Sequence, residues 1–152
     1  MAEGRKVVAS NRRARHNYEI LDTFEAGMVL TGSEVKSLRA SQVQLKDAYA
    51  TLLRGELWLE NAHIAPYSYA TSGGHDPERK RKLLLHRREI DRLTGKVQEQ
   101  GLTLVPLQIY FTHGLAKIEI ALAKGRHTYD KRKKLVERQQ KREMDRARSH
   151  RR

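Results

Sequence analysis

Alternation of apolar and polar positions is clearest in the second half of the chain. Val105, Leu107, Ile109 and Phe111 take every second place, as do Ile118, Ile120 and Leu122. Each set predicts a strand that turns one face to a core. Residues 18–30 are rich in β-formers and predict a longer strand with a bend at Gly27. Residues 48–53 and 56–62 flank Arg54-Gly55, which reads as a tight hairpin, although Arg is a less usual first turn residue than Asn or Asp. In its second arm Leu57 and Leu59 point one way, while Trp58 points the other way with Glu56 and Glu60. Trp58 is therefore expected off the main core. It either packs on the outer face or stacks on a base, and its carboxylate neighbours, which repel phosphate, favour packing.

The period changes to that of a helix in two places. After the break at Gly32-Ser33, which offers an N-cap, Val35 and Leu38 share a face of a short helix through Arg39, with Lys36 and Arg39 on another face. Residues 86–100 carry Ile90, Leu93 and Val97 at helical spacing, with Gly95 as a mild defect and Gly101 as the stop. Between the two helices, residues 68–77 read as a loop containing Gly73-Gly74 and Pro77. The run Arg79-Lys80-Arg81-Lys82 then leads into Leu83-Leu84-Leu85. The fold class expected is mainly β with helices, an antiparallel barrel, because a half-buried sheet of this size must close or be covered to protect its edges.

Three regions follow. Residues 1–17 are basic without a sustained period and are expected to form a flexible lead, residues 18–124 the barrel, and residues 125–152 a basic tail. In the tail only Leu135, Val136 and Met144 offer large apolar side chains besides Tyr129. A helix polar almost all round has no stripe to bury, so the tail is expected to be disordered alone and helical on a charged partner.

Charge narrows the function. The 152 residues hold 31 Lys and Arg against 18 Asp and Glu, a net +13. That excess is the footprint of a polyanion binder, with nucleic acid or a membrane surface as the polyanion. It is unevenly spread. Residues 124–152 carry 13 Lys or Arg against Asp130, Glu137, Glu143 and Asp145, a net +9, and the first 123 residues are only +4. A near-neutral body with a basic tail suggests two separable contacts, one shaped by the fold and one dominated by charge. Within the body, basic groups recur as Arg12, Arg13, Arg15 and His16, then Lys36 and Arg39, then Arg79 to Lys82. Any one of these runs could be a solvated face; their sum is harder to explain that way.

Other chemistries find little support. There is no cysteine, which removes disulfides, thiol catalysis and zinc ribbons. The longest apolar stretch, residues 102–111, is about half a membrane span. Met-Ala-Glu-Gly-Arg-Lys lacks the apolar core of a secretory signal, so the expectation is a cytoplasmic protein without membrane attachment. No two of the seven histidines stand at an i, i+4 metal spacing with a third ligand nearby. GxxxxGK[ST], GxGxxG and GxSxG are all missing. His75-Asp76 is the best acid/base candidate, and the polarity of a loop explains it. No catalysis, metal, cofactor or small-molecule substrate is expected.

Several segments together resemble a known family. Asn11-Arg12-Arg13-Ala14-Arg15-His16-Asn17-Tyr18, Phe24-Glu25-Ala26-Gly27, Glu34-Val35-Lys36-Ser37-Leu38-Arg39-Ala40, Asp76-Pro77 with Arg81-Lys82-Leu83-Leu84-Leu85, and Asp130-Lys131-Arg132 closely resemble the SsrA-binding proteins, also called small protein B. The match runs through essentially the whole chain in order. It implies an OB-fold-like barrel with packed helices that binds the transfer-RNA-like domain of transfer-messenger RNA, one copy per RNA, and replaces the missing anticodon arm. The complex would enter stalled ribosomes, chiefly touching small-subunit RNA, and switch translation to the tag-encoding RNA. By resemblance Asn11, Glu25 and the Leu83 to Leu85 segment, Leu84 included, face the RNA, with Lys36, Ser37, Arg39, Arg81 and Lys82 as neighbours; Arg12, Arg13, Arg15 and His16 are expected to contact RNA through their charge. Glu25 would accept from a ribose 2′-hydroxyl or base amino group, or else form a salt bridge that orients Arg13 or Arg15. Gly125, Arg126, His127, Tyr129, Asp130, Lys131 and Arg132 match the decoding-centre segment. There the chain departs from the family, with Gly125-Arg126-His127 for a common Gly-Lys-Lys and Tyr129 where His is frequent. Two competing readings remain: a ribosomal or other translation protein on ribosomal RNA, and an RNA-cleaving or RNA-modifying enzyme.

Overall fold

The two alternating segments of the second half form the longest hairpin, β8 (Thr103–Thr112) and β9 (Leu115–Gly125). The computed structural model describes residues 5–66, 75–125, 140–142 and 144. His113 at φ 50° and Gly114 at φ 76° form the turn, both left-handed, as the twist of the flanking strands requires. From β9 the sheet continues through β2 (Tyr18–Met28), β7 (Arg81–Leu84), β5 (Glu56–Glu60) and β4 (Tyr49–Leu53), and β4 returns to β8. All pairings are antiparallel, and the β8–β9 pairing closes the ring as an OB-fold-like barrel. The expected hairpin at Arg54-Gly55 is present with φ of 53° and 75°. An added Cβ at Gly55 would lie 2.8 Å from Nη1 of Arg87, which donates to the Gly55 carbonyl. A short ribbon of β3 (Val43–Gln44) and β6 (His63–Ile64) stands apart from the ring.

Leu57, Leu59, Leu83, Ile109, Ile118 and Ile120 fill the interior and are fully buried. The helix α2 (Gly32–Arg39) adds Leu38 and Val35, and α3 (Arg87–Gln100) adds Leu93 and Val97 before it stops at left-handed Gly101. Trp58 is half-buried on the outer face opposite Lys82.

Three features differ from the sequence expectations. The four alternating residues of β8 do not share a face. A bulge between Pro106 and Gln108 puts Val105 and Leu107 in a second cluster with Ala14, Ala121 and Ala123, while Ile109 and Phe111 face the barrel interior. One extra residue reverses the facing of everything beyond it. The cap of α2 is Thr31 rather than Ser33. Thr31 Oγ1 accepts from the Glu34 amide and Glu34 Oε1 accepts from the Thr31 amide, a complete capping box. Finally, residues 6–17 are not a flexible lead. They hold β1 (Lys6–Ser10), paired with β8, and the helix α1 (Arg12–Asn17). These pieces are too short to show a period, and β1 exists because it covers an edge of β8 that would otherwise be open.

The loop expected at residues 68–77 lies outside the described residues as far as Gly74. Most of the tail does too; Gln140, Lys141, Arg142 and Met144 are helical. No helix among the described residues is long and apolar enough to cross a membrane.

Candidate nucleic-acid interface

The site is best built from Asn11 outward. Its side chain is 7% exposed, and all its hydrogen-bonding capacity is directed inward. Oδ1 accepts from the Ala14 amide and caps α1, and Nδ2 donates to the carbonyls of Pro106 at 3.0 Å and Leu45 at 3.2 Å. Pro106 stands at the β8 bulge, where the ladder is interrupted, and Asn11 supplies its carbonyl with a donor. With Ala14 buried beneath it, α1 is pinned to the barrel while Arg12, Arg13, Arg15 and His16 stay exposed. Arg12 and Arg13 form no ion pair among the described residues. They border a groove of about 390 Å³ with Ser10, Gln44 and Lys46. Asn11, expected to touch RNA, is thus placed to hold the residues that can. Asn11→Ala removes the cap and the side-chain donor to the carbonyls of Pro106 and Leu45, of which Leu45 still accepts from the Ala48 amide at 3.1 Å, so urea denaturation should show a loss of about 1–2 kcal/mol. An unchanged midpoint would mean that α1 does not depend on this side chain.

The Arg79–Lys82 run contrasts with α1, because each of its cations meets a carboxylate of the protein. Arg79 and Arg81 reach Glu34 at 2.5 and 2.6 Å, Lys80 reaches Glu60 at 3.2 Å, and Lys82 reaches Glu56 at 3.4 Å. Arg81 was expected near RNA, but it is fully buried. Its guanidinium also donates to the carbonyls of Ala62, Asp76 and Pro77, and its burial keeps it out of reach of a phosphate. The reason is strand alternation: Arg81 shares the inward face with Leu83, while Lys82 points out. Burial alone would push the Glu34 carboxyl up. The hydrogen bonds from Arg79, the Thr31 amide and Arg81, with the charge of Arg81, outweigh that and hold its pKa at about 2.

Glu25 lies exposed on β2, directly opposite Glu119 on β9. It accepts from the Tyr110 hydroxyl and pairs with Arg5 at 3.5 Å, whereas Arg15 pairs with Glu119 at 3.6 Å. The salt bridge anticipated for Glu25 therefore exists, but with Arg5 in place of Arg13 or Arg15. Two residues along β2, Gly27 lets the Leu84 side chain lie close, with a built Cβ only 3.4 Å from it, and Leu84 is 52% exposed. The outer face of β7, β2 and β9 thus brings Leu84, Glu25 and, through Glu119, Arg15 together.

The α2 residues behave differently. Ser37 is buried and donates to the Ala65 carbonyl at 2.7 Å, so it is a packing residue rather than a surface contact. Lys36 and Arg39 are exposed, Arg39 with its guanidinium 4.7 Å from the centre of the Phe111 ring. His75, the acid/base candidate, bridges Ser33 and the Ile64 carbonyl. Since a carbonyl can only accept, Nε2 carries the proton, and the ring ties two segments together. Gly125 ends β9 beside Tyr18; Arg126, His127, Tyr129, Asp130, Lys131 and Arg132 lie outside the described residues. Sequence reasoning missed Arg5 and Tyr110, which meet Glu25 only through long-range pairing, and Lys46, an isolated cation with no run to mark it.

A closed barrel of this kind, with an arginine helix pinned to its outside and no candidate metal cluster among the described residues, falls in the class of OB-type nucleic-acid-binding barrels. The family model described as SmpB protein matches residues 8–150, and the chain belongs to that family. The SsrA-binding protein of Salinispora arenicola is 61% identical over 145 residues, covering 95% of this chain and 91% of its own. That of Mycolicibacterium smegmatis is 59% identical over 139 residues, covering 91% and 86%. A chain of the solved structure described as "tmRNA-SmpB: a journey to the center of the bacterial ribosome" is similar with a TM-score of 0.64 and 57% identity, covering 77% of this chain and 82% of that one.

Proposed function

We propose that this chain binds transfer-messenger RNA at its transfer-RNA-like domain and delivers it to stalled ribosomes in the cytoplasm, where translation switches to the tag-encoding message. In a member of the SmpB family, the observation that carries this reading is the contrast between two basic runs. The cations of residues 79–82 are each paired with a carboxylate of the protein, Arg79 and Arg81 sharing Glu34, while Arg12 and Arg13 stand exposed and without an ion pair among the described residues, on a helix that a buried Asn11 holds in place. Guanidinium groups on a rigid helix can fork to phosphate oxygens or stack on bases without first breaking an internal pair. Glu25 accepts from a donor of the RNA, and exposed Leu84 offers an apolar contact beside it. The segment from Gly125 through Arg132 meets the decoding centre of the small subunit. The protein's part is recognition and placement, with no bond made or broken by its side chains.

Sequencing the RNA that co-purifies with the tagged protein tests this directly. One small structured RNA should be enriched, whereas stoichiometric ribosomal RNA would favour a constitutive ribosomal protein. The division of charge gives a second test. A chain ending at Lys124 should bind the isolated RNA domain with a shallower dependence on salt than the full chain, because fewer counterions are released. Equal slopes would mean that the tail adds no phosphate contacts to that RNA.

A further inference from the structure

Glu25 is 47% exposed at its side chain, yet one of its two carboxylate oxygens is already engaged. The Tyr110 hydroxyl donates to Oε2, and the Arg5 guanidinium lies 3.5 Å from the same atom. Arg5 also sits 4.0 Å over the centre of the Tyr110 ring, so cation, ring and carboxylate form one closed contact. Oε1 accepts no hydrogen bond among the described residues.

Tyr110 is well suited to fix that carboxylate. It is 1% exposed and lies in β8 between β1 and β9, opposite Val7 and Lys117, so its hydroxyl is held by the barrel and not by a mobile side chain. Burial first, then the hydrogen bond to Glu25 and the Glu25 charge, push the Tyr110 pKa well above its ordinary value of 10.0, so the phenol keeps the proton it donates. Across the β2–β9 ladder, Glu119 faces Glu25, a pairing of like charges that costs stability unless each is offset. Gln108 at 3.4 Å and Arg15 at 3.6 Å both engage Glu119 through its Oε1. Glu25 is offset by Arg5 and Tyr110.

We propose that Tyr110 is a positioning residue for RNA recognition: by holding Oε2 of Glu25 it presents Oε1 as a fixed acceptor for an N–H or O–H of the RNA. The inference rests on the reading of Glu25 as an RNA contact. A base amino group or ribose 2′-hydroxyl fits this acceptor, whereas phosphate, with no proton to give at neutral pH, does not. An untethered exposed carboxylate would lose rotamer freedom on binding; one already ordered by Tyr110 and Arg5 loses less.

The test uses the full chain with Tyr110→Phe, Glu25→Gln and the double variant. For each, affinity for the transfer-RNA-like domain is measured across a salt series, alongside the thermal midpoint. Phe keeps the ring under Arg5 and removes only the hydroxyl. Tyr110→Phe should weaken binding by about three- to tenfold, the cost of ordering one flexible side chain on binding. It should leave the salt slope and midpoint near those of the parent and add little to Glu25→Gln. Parental affinity in Tyr110→Phe, with Glu25→Gln weakened, overturns the positioning role and leaves the Glu25 reading intact. Unchanged or tighter binding by Glu25→Gln overturns the Glu25 reading itself. Full additivity of the two losses, with a lowered midpoint in Tyr110→Phe, makes Tyr110 a packing residue and also overturns the proposal.

Discussion

Glu34→Ala is expected to cost about 3–5 kcal/mol, a large part of the total stability of about 5–15 kcal/mol that a domain of this size has. The loss comes less from the missing attraction than from what remains. Arg81 would keep its charge at 0% exposure, still bonded to three carbonyls but with no anion beside it. Glu34 also closes the capping box of α2, so the first turn of that helix loosens together with the clamp. Urea denaturation should show a lower midpoint, and a midpoint equal to the parent's would refute the role of the clamp. Acid adds a second signature. The folded carboxyl sits at about 2 against an ordinary 4.5, so its contribution is complete above pH 4.5 and is lost as pH falls toward 2. The span corresponds to about 3 kcal/mol. Stability of the parent should decline through that window, and Glu34→Ala should remove this part of the decline.

Truncation after Gly125 is expected to abolish peptide tagging on stalled ribosomes while leaving affinity for the isolated transfer-RNA-like domain within about an order of magnitude, the scale on which losing a few phosphate contacts is felt. Residues 126–152 hold 12 Lys or Arg against four Asp or Glu and very few large apolar side chains. A surface of dense negative charge complements them, as ribosomal RNA would on the proposed function. Tyr129 adds a stacking surface among these cations. A channel filled with intact message would exclude the segment by sterics, which would confine its action to ribosomes that have run off a broken message. Tagging at a normal rate by the truncated chain would reduce the tail to a nonspecific anchor.

What could be read from the sequence was what local chemistry determines. The Arg54-Gly55 hairpin, the helix that stops at Gly101 and the inward set Ile118, Ile120 and Leu122 are written in neighbouring residues, and the structure keeps all three. The capping box is equally local, Thr31-Gly32-Ser33-Glu34, although Ser33 is itself a residue type that caps helices. Asn11 was legible only as part of a motif. Its two carbonyl partners lie 34 and 95 residues away, and no local pattern can show that an exposed-looking Asn is buried. The Arg79–Lys82 run misled for the opposite reason. Four consecutive cations look alike in sequence, yet a strand continuing into Leu83 sorts them by period two and sends Arg81 inside. Glu34, the only acid buried with it among the described residues, stands more than forty residues earlier.

The pairing of Lys6 with Phe111 and of Ser10 with Gln108 joins residues about a hundred positions apart. During synthesis β1 therefore has no partner until β8 has left the ribosome, and Asn11 cannot anchor α1 before Pro106 is in place. The arginine helix is made well before β8 but is fixed only after it. A chain cut short before β8 lacks the strand that organises its arginine helix. Competence to bind should thus appear abruptly, with completion of the barrel, and not grow with chain length.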